Sequence, residues 1–302
     1  MKRLLSAATL LACCLAAHAQ TVAITIDDGP NLEATPRMSA LERNSAMLAA
    51  LRKHKVQAAL FVTSSLGATR PEGLALARAW GDAGHAIGNH TVTHPDLHKV
   101  ELAAYQKEVL DCDRLISTLP GYQKWLRFTF LREGNTPEKR DGMRQFLRDQ
   151  GYRNAHVSLD TSDWRLNAKL VEVLAKNPQA DVTPIRTAYL AHIRQRALAY
   201  RQLSQELQGR DIAQVLLLHH NLINAMWLDD VLAQFKEMGW TIVSPAKALE
   251  DPVYKLEPVR SAAGQSLLLS LGRILGHGLM PGGERLVDDG DYEIAELEKQ
   301  GF

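Results

Sequence analysis

The chain has 302 residues, with 35 Lys and Arg against 34 Asp and Glu, a formal charge of +1. So even a balance offers no basic excess for neutralising phosphates, and nothing in it points to a nucleic-acid partner. A chain this long can bury a sizeable hydrophobic core.

The first nineteen residues read as an export signal rather than as part of the fold. Lys2 and Arg3 give a positive start, and Leu4 to Leu15 form an apolar run too short to span a membrane. Ala17-His18-Ala19 places small residues ahead of a cleavage site before Gln20. The expected destination is the periplasm or the exterior. A rival reading takes Leu10-Leu11-Ala12-Cys13 as a lipoprotein site that leaves a lipid on Cys13; Leu11 suits that site poorly, so it ranks second. Removing the signal lowers the basic count to 33 against 34 and removes Cys13 and Cys14. Cys112 then has no partner for an internal disulfide, a cysteine-built zinc site is excluded, and stability must come from the core. No later stretch reaches eighteen uninterrupted apolar residues, so no transmembrane segment is expected.

After the signal, short apolar runs rich in β-formers alternate with helical stretches. Strands are expected at Val22–Ile26, Ala58–Val62, His85–Gly88, Trp125–Phe130, Ala155–Leu159, Val215–Leu218 and Thr241–Val243. Between Glu101 and Leu119, Leu102, Tyr105, Val109, Cys112 and Ile116 recur every three or four residues as one apolar stripe. Cys112 lies on that stripe and reads as a buried, inert thiol, and Pro120-Gly121 ends the helix. Strands separated by helices imply parallel β-α-β units with right-handed crossovers. Seven such units suggest an incomplete (β/α) barrel or a doubly wound sheet, and either one gathers function at the carboxyl ends of its strands. Residues 171–209 read as a helical insertion beside the groove. Beyond Tyr254, Ser266–Leu275 reads as an apolar helix packed on the barrel, followed by an acidic end from Asp288.

The first strand ends in Asp27-Asp28-Gly29-Pro30. Such a run also suits a plain turn, yet two adjacent carboxylates repel and call for a cation nearby. The third strand leads into His90-Thr91-Val92-Thr93-His94-Pro95. Histidines at i and i+4 share one side of a helical turn, which suits two imidazoles on one ion. His98 continues the spacing beyond Pro95 and reads as a surface residue; His85 reads as a strand histidine. One aspartate with two histidines leaves a metal coordination position open, as hydrolysis needs, while Asp27 stays free to accept a proton. Arg127 sits among Trp125, Phe128 and Phe130, either as a surface residue or orienting a buried carboxylate. Two further strand ends carry Asp160-Thr161-Ser162-Asp163-Trp164 and His219-His220-Asn221. A histidine there suits a general acid, with an aspartate to orient it.

In this order the motifs TIDDGP, HTVTH, RFTF, DTSDW and LLLHH resemble those of the polysaccharide deacetylases, carbohydrate esterase family four with its NodB-homology domain, over about Thr21 to Tyr254. The resemblance implies a deformed, incomplete (β/α) barrel of about seven parallel strands, a catalytic domain over 20–254 and a C-terminal extension over 255–302. It implies Asp27 as base, Asp28, His90 and His94 as ligands of one divalent ion (zinc first, cobalt or nickel as alternatives), and Arg127 tuning the base. Phe130 would offer its backbone N–H to the oxyanion, and Trp164 and Leu218 would line the acetyl pocket. Asp163 would orient His219 as acid, with His220 its competitor for that role. Substrates would be acetylated polysaccharides or oligosaccharides, cut at N- or O-acetyl groups. Thr129 departs from the family pattern, which has proline there. Two other functions compete: an impaired glycan-binding cell-wall protein, supported by Thr129, and a small-molecule amide hydrolase of similar fold, which the export signal opposes.

Overall fold

Apolar runs that end on polar residues dictate the architecture, because parallel strands buried on both faces are continuous in hydrophobicity and change character only where they leave the sheet. In the computed structural model, described for residues 20–258, 266–274 and 290–302, seven such strands form one parallel sheet wrapped by helices. The strands are β1 (Thr21–Gly29), β2 (Ala59–Val62), β3 (Ala86–Asn89), β4 (Tyr122–Leu126), β5 (Arg153–Asn154), β6 (Ala213–His219) and β7 (Thr241–Ile242). The helices are α1 (Ala40–His54), α2 (Pro71–Asp82), α3 (Leu102–Ile116), α4 (Pro137–Gln150), α5 (Asp163–Lys176), α6 (Thr183–Gln208), α7 (Leu222–Glu237), α8 (Pro245–Ala248), α9 (Leu267–Ile274) and α10 (Asp291–Lys299). Residues 1–19, expected to be an export signal, and the first residues of the acidic end lie outside the described residues. Among the described residues, no helix is long and apolar enough to cross a membrane.

The strand order is β5-β4-β3-β2-β1-β6, with β7 added against the start of β1. Register then decides where chemistry can gather. Asp27 pairs with His219, Val62 with Asn89, Asn89 with Leu126, and Leu126 with Asn154. The residues that follow each strand therefore meet at one end of the sheet.

The sheet curls into a deformed, incomplete barrel, and its seam corrects one expected strand. Residues 155–159 form no regular strand. Ala155 N–H bonds Leu126 O beside β4, whereas Leu159 makes a single bridge to Leu216 of β6. This segment crosses the gap between the two edges, so it cannot run alongside either. The expected strand at 125–130 also stops early, at Leu126. Beyond it the chain turns through a 3-10 segment, Thr129–Leu131, with Phe130 and Leu131 at φ 54° and 53°. Thr129 bonds side chains and loop carbonyls there instead of a neighbouring strand.

Helix positions follow local sequence signals. Ser39 and Glu42 form a reciprocal capping box at the start of α1, and Asn221 caps α7 directly after the histidines of β6. On α3, Tyr105, Val109, Cys112 and Ile116 are fully buried. Cys112 has its thiol pushed up to about 12 by burial, so it stays protonated and inert. Residues 171–209 comprise the end of α5, a loop and α6. The buried face of α6 carries Tyr189, Ile193 and Tyr200 in the main core, and Leu267, Leu268, Ile294 and Leu297 of α9 and α10 join that same core.

Leu216 sits at the centre of β6, fully buried between β1 and the 159 bridge. Leu216→Ala is expected to cost about 2–5 kcal/mol through lost burial and a residual cavity. Urea denaturation measures this, and a midpoint equal to wild type would contradict the core placement.

Candidate metal centre

Near the end of β1, Asp28 adopts the left-handed region, at φ 61°, where the register with β2 is irregular. That kink lets two consecutive carboxylates face one small space. His90 Nε2 lies 3.7 Å from Asp27 Oδ2 and 3.8 Å from Asp28 Oδ1, and His94 Nε2 lies 3.7 Å from Asp28 Oδ1. Ligand atoms of Asp28, His90 and His94 fall within 4.8 Å of one another, the one such group of His, Cys, Asp or Glu among the described residues.

The protonation states fit a divalent cation. His90 Nδ1 sits 2.8 Å from the Arg127 carbonyl. A carbonyl only accepts, so Nδ1 carries the proton and the Nε2 lone pair faces Asp28. Burial holds His90 at about 4, and burial with the neighbouring His90 holds His94 at about 4. For Asp28, burial pushes upward, yet His90, His219, His94 and the Thr63 hydroxyl outweigh it and leave its carboxyl below the usual range. Thr63 Oγ1 donates to Asp28 Oδ1 at 2.9 Å. At neutral pH the group thus offers one carboxylate and two neutral imidazoles, a donor set suited to zinc and its neighbours with positions left for substrate.

The loop between the histidines is not the helical turn expected from their spacing. His94 precedes Pro95, and a residue before proline is disfavoured in the helical region; Thr91 and His94 instead adopt φ 71° and 57°. Side chains hold this loop. Glu108 Oε2 accepts the N–H groups of Val92 at 3.0 Å and Thr93 at 2.7 Å, Asn89 Oδ1 accepts that of Thr91 at 2.8 Å, and Thr91 Oγ1 accepts that of His94 at 3.2 Å. His98 lies outside the cluster and is half-buried rather than at the surface, with Lys139 Nζ 3.3 Å from its carbonyl. His85 lies just before β3, buried, and its Nδ1 accepts the Ala58 N–H.

Asp27 is held differently. Arg127 Nη1 reaches both its oxygens, at 3.1 and 3.0 Å, while Nε donates to Ala155 O at 2.6 Å and Nη2 to Thr25 Oγ1 at 3.3 Å. The guanidinium lies over the Phe61 ring at 4.4 Å. Gly88 makes that possible, since a Cβ there would come within 2.5 Å of the same ring. Arg127 is therefore buried and orients a carboxylate, which removes the surface alternative. Burial raises Asp27 to about 6 against the lowering effects of Arg127 and His219.

Across the register from Asp27, His219 Nδ1 meets Asp163 Oδ1 at 2.6 Å. Asp163 is fully buried and also accepts from the His219 N–H, Asn221 Nδ2 and Asn224 Nδ2. Burial alone would lower His219, but Asp163 dominates, with Asp28 and Asp27 adding to it, and raises the imidazole to about 10. His220 faces the opposite way. Its Nδ1 accepts the Asn31 N–H, its Nε2 meets Asn44 Oδ1 at 3.1 Å, and burial holds it at about 4. The Phe130 ring is half exposed and meets His94 edge-on at 4.5 Å, Trp164 is 45% exposed, and Leu218 is fully buried beside Ile26.

Several residues here escaped the sequence reading. Thr63 follows β2, so the strand-end rule applied to Ala58–Val62 would have found it. Asn89 follows the expected strand at 85–88 and was open to the same rule, whereas the polar roles of Tyr105 and Glu108 carried no signal, because they are hydrogen bonds to loops whose path one sequence does not reveal.

Residues 16–155 match the family model described as polysaccharide deacetylase. The chain is 30% identical over 145 residues to a peptidoglycan-N-acetylglucosamine deacetylase of Bacillus cereus, covering 48% of this chain and 46% of that protein. It is 39% identical over 97 residues to a chitooligosaccharide deacetylase of Bradyrhizobium, covering 32% and 39%. The chain thus spans less than half the length of these curated relatives. The solved structure of the Bc1960 peptidoglycan N-acetylglucosamine deacetylase superposes with a TM-score of 0.53 at 22% identity, over 76% of this chain and 88% of that one, a likeness of fold.

The same charges set a pH profile for folding. His85, His90, His94 and His220 are held at about 4 when folded against 6.5 ordinarily. Their contribution is complete above 6.5 and is lost as pH falls towards 4. His219, raised to about 10, contributes fully below 6.5 and loses that contribution as pH rises. Asp27, raised to about 6, opposes the four histidines at acid pH as one group against four. Chelator-treated protein is expected to show its highest urea midpoint near neutral pH, falling on both sides. A midpoint rising steadily from about pH 7 to about pH 4 would contradict these environments.

Proposed function

We propose that the chain is a member of the polysaccharide deacetylase family, whose model matches residues 16–155, and that it is an exported, metal-dependent hydrolase that removes acetyl groups from an acetylated polysaccharide or oligosaccharide. One observation carries this reading: Asp28, His90 and His94 converge beside a carboxylate held by Arg127 and an imidazole held by Asp163. The names of the relatives favour amide-linked acetyl on an amino sugar.

Asp28, His90 and His94 would hold one divalent ion, zinc above cobalt or nickel, with Thr63 steadying the carboxylate. Such an ion supplies Lewis acidity, which polarises a carbonyl and makes water easier to deprotonate. Asp27 then accepts the proton of the attacking water. Its hydrogen bonds to Arg127 fix its direction and keep it ionised against burial. The Phe130 N–H donates to the oxyanion as the carbonyl carbon becomes tetrahedral. His219 gives its Nε2 proton to the departing nitrogen or oxygen, while Asp163 holds Nδ1 and so fixes which nitrogen delivers it. Trp164 and Leu218 border the acetyl methyl. Acetate and a free amine or hydroxyl leave.

Acetate release from N-acetylated glycans should require zinc and stop with chelator. Asp27→Asn should keep the metal yet lose activity by about 10²–10⁴-fold, the usual worth of a positioned base. His94→Ala should lose the metal itself. Acetate assays with metal analysis separate the two, and full turnover by a folded Asp27→Asn protein would defeat the assignment.

A second expectation concerns the acid. In Asp163→Asn, burial remains and the stabilising charge is gone, so the His219 pKa drops. The alkaline limb of the kcat/KM profile should move to lower pH. An unmoved limb would mean that His219 is not the proton donor.

A further inference from the structure

Thr129 stands where the family pattern has proline, and its surroundings are fitted to threonine. Its N–H donates to Tyr105 Oη at 3.1 Å, its Oγ1 lies 3.0 Å from the same oxygen, and Oγ1 donates to the Pro95 carbonyl. Thr129 and Tyr105 are both fully buried. Counting protons fixes every direction. The Pro95 carbonyl only accepts, so it takes the Thr129 hydroxyl proton. The Tyr105 oxygen takes the Thr129 N–H. The phenol proton is left for Thr129 Oγ1. Three protons meet three acceptors, and burial, which pushes the Tyr105 phenol up to about 12, keeps the last of them in place. Proline would supply neither the N–H nor the hydroxyl and would leave the buried Tyr105 phenol without its acceptor and the Pro95 carbonyl without this donor.

We propose that Thr129 and Tyr105 form a positioning pair that ties the His94 loop to the Phe130 turn, so that a hydrogen-bond circuit replaces the stiffness of the missing proline. The proposal rests on the reading of Asp28, His90 and His94 as a metal site. Pro95 directly follows His94, Phe130 directly follows Thr129, and the His94 and Phe130 rings touch at 4.5 Å. His94 and Phe130 both sit at positive φ, 57° and 54°, which a side-chain-bearing residue keeps only when its surroundings hold it. Tyr105 is anchored on α3, one turn before the Glu108 that grips Val92 and Thr93. The same helix thus holds the histidine loop at both ends.

Zinc affinity tests the pair, measured on the full chain by competition with a chromophoric chelator, with the thermal midpoint followed in parallel. Thr129→Val keeps the shape and the N–H but removes Oγ1; it should weaken zinc by about 10–100-fold, as loss of an outer support of a metal ligand does. Thr129→Ser restores the hydroxyl and should restore the affinity. Tyr105→Phe should weaken zinc over the same range, and the double variant Thr129→Val/Tyr105→Phe should fall short of the product of the single losses, because both break one circuit. Wild-type affinity in folded Thr129→Val or Tyr105→Phe would overturn the proposal, as would a Thr129→Ser protein as weak as Thr129→Val. Absence of zinc uptake by the wild type in the same titration would instead defeat the metal-site reading beneath it.

Discussion

A buried ion pair between Asp27 and Arg127 is the interaction on which the rest of the site depends. Taking both charges out of water costs several kcal/mol per ion, and their attraction offsets this only when the remaining donors are also satisfied. Here they are. Arg127 places Nη1 on Asp27, Nε on Ala155 O and Nη2 on Thr25, with Phe61 beneath. The pair joins the end of β1 to the end of β4 and to the seam segment. The backbone of the same arginine orients His90 through its carbonyl. One residue therefore orients the Asp27 carboxylate with its side chain and the His90 imidazole with its main chain.

Around that pair, the protein separates groups that sequence alone makes look equivalent. Asp27 and Asp28 are neighbours, yet one faces a guanidinium and the other a hydroxyl and two imidazoles. Burial raises the first, and the histidines lower the second. His219 and His220 are neighbours as well. Asp163 raises His219 to about 10, whereas His220 packs among neutral amides and is held at about 4. Strand alternation sends such neighbours to opposite faces, and the left-handed residue at Asp28 suspends that rule, so that both carboxylates lie near His90.

Most of the fold was legible because apolar runs and their polar ends are local signals. Six of the seven expected strands lie where strands are found, and the strand-end rule points to Asp27, Asp28, His90 and His219 at the ends of β1, β3 and β6. The failures are non-local. Residues 155–159 are apolar enough for a strand, but they must bridge two sheet edges. The turn at 128–131 and the loop at 91–94 are set by Tyr105, Glu108 and Pro95, which act across sequence gaps that periodicity does not register. Helical spacing suggested a shared helical turn for His90 and His94, whereas the two meet through a held loop.

The central claim is that one divalent ion sits on Asp28, His90 and His94 with Asp27 left unligated. Anomalous diffraction at the zinc edge from crystals grown with zinc tests it most directly. The account predicts a single peak about 2.0–2.2 Å from an Asp28 oxygen and from Nε2 of both histidines, with both Asp27 oxygens still on Arg127. A peak coordinated by Asp27, or none near these three side chains, would contradict it.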